Sequence, residues 1–156
     1  MTDARASGIA VNQALWAVMN ERFTDAAAEE MWGRPDIVWG LFAARERDLC
    51  VLGDVPGLDV VELACGTAYF SAWLTSAGAT TVAVDLSGEQ LATARRLQGQ
   101  LGPVFPLIQG DAERVPLASG RFDLVVSEHG VAAWCDPSAG FQRRPGSCGR
   151  ADGWSS

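Results

Sequence analysis

The sequence predicts an α/β protein: a doubly wound parallel sheet, incomplete, preceded by N-terminal helices. Three observations predict it. Short apolar runs at 59–63, 81–84, 104–108 and 122–126 alternate with segments of helical spacing. Each run ends in a cluster of small or polar residues, where such folds keep their ligands. Strands alternating with helices need right-handed crossovers, which give a parallel sheet covered on both faces.

The elements follow in chain order. From Ile9 to Phe42 the apolar residues Ile9, Leu15, Val18 and Met19, then Met31, Trp32, Ile37, Val38, Leu41 and Phe42, recur at rough helical spacing, interrupted at Gly33-Arg34-Pro35. Helix is expected to continue over 43–52, giving a helical cap over 1–52. Gly53-Asp54-Val55-Pro56-Gly57 is a turn into the first strand, 59–63. A helix is expected near 68–76, with Phe70 and Leu74 on one face and Gly78 just past its end. After strand 81–84, Ser87-Gly88-Glu89-Gln90 fits a capping box, and its helix runs to about Gln100. Gly102-Pro103 ends that helix. Strand 104–108, a loop over 109–120 and strand 122–126 complete a core assigned to 53–137.

Composition narrows the function. A chain of 156 residues has room for one domain. Its net charge of −7 and lack of a basic stripe argue against nucleic acid. No apolar run is long enough for a membrane span, and MTDARASGIA carries no basic-then-apolar export signal, so a soluble cytoplasmic protein is expected. Cys50, Cys65, Cys135 and Cys148 are scattered and His129 is the only histidine, so no metal site is expected. A small molecule is the expected ligand.

The strand ends say which kind. Glu62 and the loop Ala64-Cys65-Gly66-Thr67-Ala68 follow the first strand, Asp85 the second, Gly110-Asp111-Ala112-Glu113 the third and Ser127-Glu128-His129-Gly130 the fourth. Asp85 lies close to the spacing from Glu62 at which an acid accepts from ribose hydroxyls. A dinucleotide would need G-x-G-x-x-G to cradle its pyrophosphate, and only Gly66 is glycine here. Glu62 repels a phosphate and suits an ammonium group. Adenosine with a charged amino acid tail and no phosphate fits these residues better.

VVELACGTAYFSAWL, VAVDLSGEQLATARRL, QGDAERVPL and RFDLVVSEHG, in that order and spacing, resemble the class I S-adenosylmethionine-dependent methyltransferases, in particular the small-molecule type 11 group, over roughly 36–137. The resemblance implies a Rossmann-like fold, S-adenosylmethionine as cofactor and a small-molecule methyl acceptor. It further implies that Glu62 holds the methionine amino group, that Gly66 lets the backbone approach the ligand, that Asp85 binds the ribose diol and that Leu86 packs on the adenine. Asp111 would accept from the adenine amino group, the Ala112 amide would donate to the ring, and Ser127 would face the methionine moiety. Ala64 and Ala68 stand where the family pattern has glycine, and each discourages positive φ. The alternatives are a catalytically inactive cofactor-binding remnant and a nicotinamide-dependent oxidoreductase.

Simpler readings stand beside several of these. Cys65 reads as a small filler, Ser87 and Gln90 as a cap alone, and Trp16, Trp32, Trp39, Trp73 and Trp134 as core and lid. His129 is the candidate general base, against a structural histidine or a substrate contact.

Residues 138–156 are expected to be a disordered, frameshifted tail. SAGFQRRPGSCGRADGWSS has no apolar periodicity and carries three arginines and one aspartate, against nine arginines and eighteen acids before it. Starting each codon one base early forces apolar residues at Phe141, Cys148 and Trp154 and, where Ser155 has a TCN codon, a valine there. All the basic residues are arginine, which points to a GC-rich gene; with GC-rich choices at most free positions the segment recodes to end in RWVPEAARVLRPGGRLVF. The helix, turn and strand of that string are what the resemblance expects next. Without them the fourth strand is an unprotected sheet edge, prone to self-association.

Overall fold

The computed structural model describes residues 10–11, 14–15, 25–40, 42–115, 117–118 and 120–131. The readings made above for Trp16, Val18, Met19, Leu41, Trp134 and the 138–156 tail lie outside the described residues.

Four strands form one parallel sheet in the order β5-β4-β3-β6, with β3 Asp59–Leu63, β4 Thr80–Asp85, β5 Leu107–Gln109 and β6 Leu124–Val126. The register pairs Val60 with Thr81 and Leu124, and Ala83 with Leu107. The order reverses between β3 and β6, which makes the crevice beyond their carboxyl ends the place for a ligand.

Side-chain alternation along β3 divides the core. Val60 faces α3 (Tyr69–Ser76) and α4 (Gly88–Leu101), in a cluster with Phe70, Leu74, Leu91, Ala94 and Leu97. Val61 and Leu63 face the other way and pack with Val84, Ile108, Val115, Leu117 and Phe122. Both faces of β3 are buried from Val60 on, hence adjacent apolar residues in place of an alternating pattern. Helix α1 (Asp25–Trp32) adds Ala28 and Trp32 to the first cluster, and Trp32 stacks on Phe105 at 6.0 Å. On the opposite face the second cluster is met by Ala112 and Val131.

Helix boundaries follow local chemistry. Ser87 caps α4, its hydroxyl accepting from the Gln90 amide at 3.3 Å. Beyond α3, Gly78 takes φ +97° and its carbonyl accepts from Gly57. Strand β5 starts later than expected, at Leu107, because Pro103 and Pro106 have no amide to give a ladder; the Pro106 carbonyl still accepts from Ala83.

The largest departure is at 37–52. Helix was expected there, and the structure has an antiparallel pair, β1 Val38–Trp39 and β2 Ala44–Arg45, followed by a single turn of helix, α2 Glu46–Leu49. The backbone of this stretch bonds to distant partners instead of to its own next turn. The Asp36 carbonyl accepts from the Tyr69 hydroxyl at 2.8 Å, the same hydroxyl accepts from the Val38 amide, and the Ile37 carbonyl accepts from Glu46. Glu46, buried, accepts from Trp39 Nε1 and from the Leu52 amide, both at 2.6 Å.

Candidate functional site

The loop after β3 is built by three residues in left-handed conformation, Ala64 at φ +53°, Gly66 at +55° and Ala68 at +58°. Two of them are alanines in a region that costs an L-residue about 1–2 kcal/mol. Three of the loop's amides are committed to protein acceptors. Cys65 donates to the Val84 carbonyl, Gly66 to Asp85 Oδ2 at 2.7 Å and Ala68 to the Cys65 carbonyl. A phosphate would find no amide of residues 65, 66 or 68 to bind, which agrees with the absence of a dinucleotide glycine pattern. From outside, Trp32 Nε1 donates to the Thr67 carbonyl at 2.8 Å.

Glu62 lies on the α3 side of β3. Helix α3 begins at Ala68, which has no capping side chain, and Glu62 takes that role across space: its Oε2 accepts from the Ser71 amide at 2.8 Å and from Ser71 Oγ at 2.5 Å. Burial nevertheless pushes its carboxyl up to about 7, with the Ser71 bonds pulling down and the charges of Asp85 and Glu128 pushing further up. A structural partner for Glu62 was not foreseen; an uncapped alanine three residues before a serine is the signal that could have found it.

Asp85 ends β4. Its Oδ2 holds Gly66 and its Oδ1 accepts from the Ser87 amide at 2.8 Å, so one carboxylate joins the β3 loop to the start of α4. Burial raises its titration, offset in part by the Ser87, Gly66 and Leu86 amides. Leu86 is half-buried beside it, and the Gln109 side chain donates to the Leu86 carbonyl at 3.2 Å. At the end of β5, Gly110 donates to the Asp85 carbonyl, and Asp111 Oδ1 accepts from Glu113 at 2.9 Å, capping the one-turn helix Ala112–Arg114.

The β6 end is tightly wound. Ser127 Oγ accepts from Val131 at 3.0 Å, and Gly130 donates to the Glu128 carbonyl at 2.7 Å. His129 takes φ +56° and sets Nε2 2.8 Å from Glu128 Oε1. A β-carbon on Gly130 would collide with the Ala64 methyl and come within 2.7 Å of the Ala64 carbonyl, so the β3 and β6 loops touch where the strand order reverses. Burial, with the charges of Glu62 and Asp85, holds the Cys65 thiol well above its usual range, consistent with filler and not nucleophile.

Glu62, Ala64, Gly66, Asp85, Leu86, Asp111, Ala112 and Ser127 therefore share one end of the sheet. The acids among them and Glu128 give that end a negative field, the sign that attracts a cation. Among the described residues no cluster of potential metal ligands is present.

A profile described as "Methyltransferase domain" matches residues 61–143, more than half of the chain. The malonyl-[acyl-carrier protein] O-methyltransferase of Pectobacterium atrosepticum is 32% identical over 124 residues, which cover 76% of this chain and 47% of that protein. The demethylmenaquinone methyltransferase of Mycobacterium sp. strain JLS is 36% identical over 106 residues, covering 64% of this chain and 44% of that one. The chain spans about half the length of these curated relatives. Among solved structures, the YcgJ protein of Bacillus subtilis superposes with a TM-score of 0.53 at 17% identity, over 59% of this chain and 41% of that chain, a likeness that bears on the fold.

Proposed function

The chain belongs to the methyltransferase domain family, and on that premise we propose that it binds S-adenosylmethionine beyond β3, β4 and β6 and passes its methyl group to a small molecule. The observation that carries the reading is the arrangement of Glu62, Asp85 and Glu128 around a loop that already commits the amides of Cys65, Gly66 and Ala68 to protein acceptors. Such a site suits a ligand with positive charge and hydroxyls, and is a poor one for phosphate. In this reading Asp85 accepts from the ribose diol through the lone pairs its two amide bonds leave over, with Leu86 against the adenine. Asp111 and the Ala112 amide take the adenine edge. Glu62 faces the methionine ammonium and Ser127 the rest of that moiety.

The cofactor supplies a methyl group on a sulfonium, whose charge vanishes in transfer, so the protein's task is positioning and exclusion of water. His129 is the group placed to take a proton from an oxygen or nitrogen acceptor. Two of the relatives are named for malonyl-[acyl-carrier protein] and demethylmenaquinone, and the acceptor here is read as a small molecule of that broad kind. Among the described residues no helix is long and apolar enough to cross a membrane; the cytoplasmic location is our reading of the sequence. Binding without turnover is the second reading, favoured by the two alanines that the cofactor loop holds at positive φ, where glycine is free of strain.

Thermal unfolding tests the reading. S-adenosylhomocysteine at about 100 times its Kd should stabilise the protein by about 2.7 kcal/mol, while NADH should leave the midpoint where it was. A response to NADH alone would transfer the site to the nicotinamide enzymes. Methyl transfer to a metabolite panel separates turnover from binding alone.

A further inference from the structure

One carboxylate at this end of the sheet contributes charge to the reading above but is assigned no ligand atom. Glu128 follows β6, and its Oε1 accepts from the Gly40 amide at 3.0 Å, across 88 positions of sequence. The same oxygen lies 2.8 Å from His129 Nε2. Gly40 is the residue directly after β1 and takes φ +61°, and β1 is in turn fixed to α3 through the Tyr69 hydroxyl. The Glu128 charge is felt by Glu62 and by Tyr69, which puts it on the inner side of the crevice, between the N-terminal segment and the sheet. Its side chain is only 23% exposed, while Gly40 and the bond between them lie at the surface. The backbone there is arranged around this contact: His129 is left-handed, Gly130 has no room for a β-carbon, and Ser127 caps the turn. A non-glycine residue held at positive φ is a local cost that the surrounding structure must offset.

We propose that Glu128 is a positioning residue for the ligand cleft: by accepting the Gly40 amide it holds the end of β1 across the carboxyl ends of β3 and β6, and His129 fixes the carboxylate in that pose. The bond is charge-assisted and joins two segments that share no strand pairing, so it sets how closely β1 lies over a bound ligand and how fast that ligand leaves. The inference rests on the cofactor reading for the ligand's identity, but not for the contact itself.

Two measurements on the 156-residue protein test it, amide hydrogen exchange at Gly40 and stopped-flow dissociation of S-adenosylhomocysteine. Glu128→Ala should speed Gly40 exchange about tenfold or more, the loss of one hydrogen bond to a charged group. It should also raise the dissociation rate severalfold with little change in the association rate. Glu128→Gln keeps an acceptor for the amide and should restore most of both. His129→Ala should fall between wild type and Glu128→Ala. Equal Gly40 exchange in wild type and Glu128→Ala would overturn the contact. Faster exchange with an unchanged dissociation rate would overturn the positioning role. A wild-type protein that does not bind S-adenosylhomocysteine would overturn the cofactor reading instead, recognisable because Gly40 exchange still separates Glu128→Ala from Glu128→Gln.

Discussion

Four residues, Asp85, Ala64, Ala68 and Glu62, set the character of the loop after β3, and they make three separate measurable statements. Asp85 is already bonded to two amides, so Asp85→Ala should both loosen the loop and weaken S-adenosylhomocysteine by about 1.5–3 kcal/mol, the worth of hydrogen bonds to a charged group. Titration calorimetry that finds the affinity unchanged would move the ribose site elsewhere. Ala64 and Ala68 occupy left-handed φ that glycine adopts without cost. Replacing either with glycine relieves that strain but gives the unfolded chain more freedom, for a net gain of about 0.5–1 kcal/mol in urea unfolding. A loss of stability in both variants would show the methyl groups to be packing partners first. Glu62 has its carboxyl raised from 4.5 to about 7, so folding favours its protonated form. Its contribution is fully present below about pH 4.5 and is lost as pH rises to about 7, a swing of about 3 kcal/mol. Glu62→Gln keeps a hydrogen-bonding group beside Ser71 and should flatten this part of the stability–pH curve. Parallel curves for variant and wild type would contradict the assignment.

At the scale of elements, helices begin where a side chain supplies the missing acceptor. For α4 that side chain is local, and Ser87→Ala should cost about 1 kcal/mol of unfolding free energy. A gain or no change would mean that Asp85, which holds the Ser87 amide, carries the helix start alone. For α3 the acceptor comes from β3 through Glu62, so the strand and the helix cannot be moved independently. The β1–β2 pair obeys the same logic. Backbone groups in and beside it are satisfied from outside the pair, the Val38 amide by Tyr69, the Ile37 carbonyl by Glu46 and the Gly40 amide by Glu128. Helical spacing at Ile37, Val38 and Phe42 was a poor guide because Ile37 is fully buried while Phe42 is 96% exposed, a contrast made by the turn between them.

For the whole molecule, the sheet has one face packed by α1, α3 and α4 and another with a smaller cluster. Among the described residues no strand pairs with the outer side of β6, and Val125 in that strand is 54% exposed. Self-association through this edge is therefore part of the proposal. Val125→Lys should lower the apparent mass at high protein concentration in sedimentation, because a charged side chain opposes strand addition. A wild-type protein that stays monomeric throughout the same range would remove the edge from consideration.

The order and type of the core elements were legible in the sequence because they depend on local period and punctuation. The run Val60–Leu63 is buried on both faces and reads as apolar residues interrupted only by Glu62; Ser87 and Gly78 mark helix ends; Asp85 and Asp111 fall at strand ends by simple counting. The candidate site was legible to the same depth, as a set of positions after strands. Which atoms those positions engage was decided only by tertiary structure. Nothing local says that the Glu62 carboxylate turns to Ser71, that Asp85 joins Gly66 to Ser87, or that Ala64 and Ala68 accept left-handed φ where glycine is usual. The 37–52 segment was misread for the same reason. Its backbone hydrogen bonds are made with residues up to 88 positions away, and a pattern of side-chain spacing carries no record of partners at that distance.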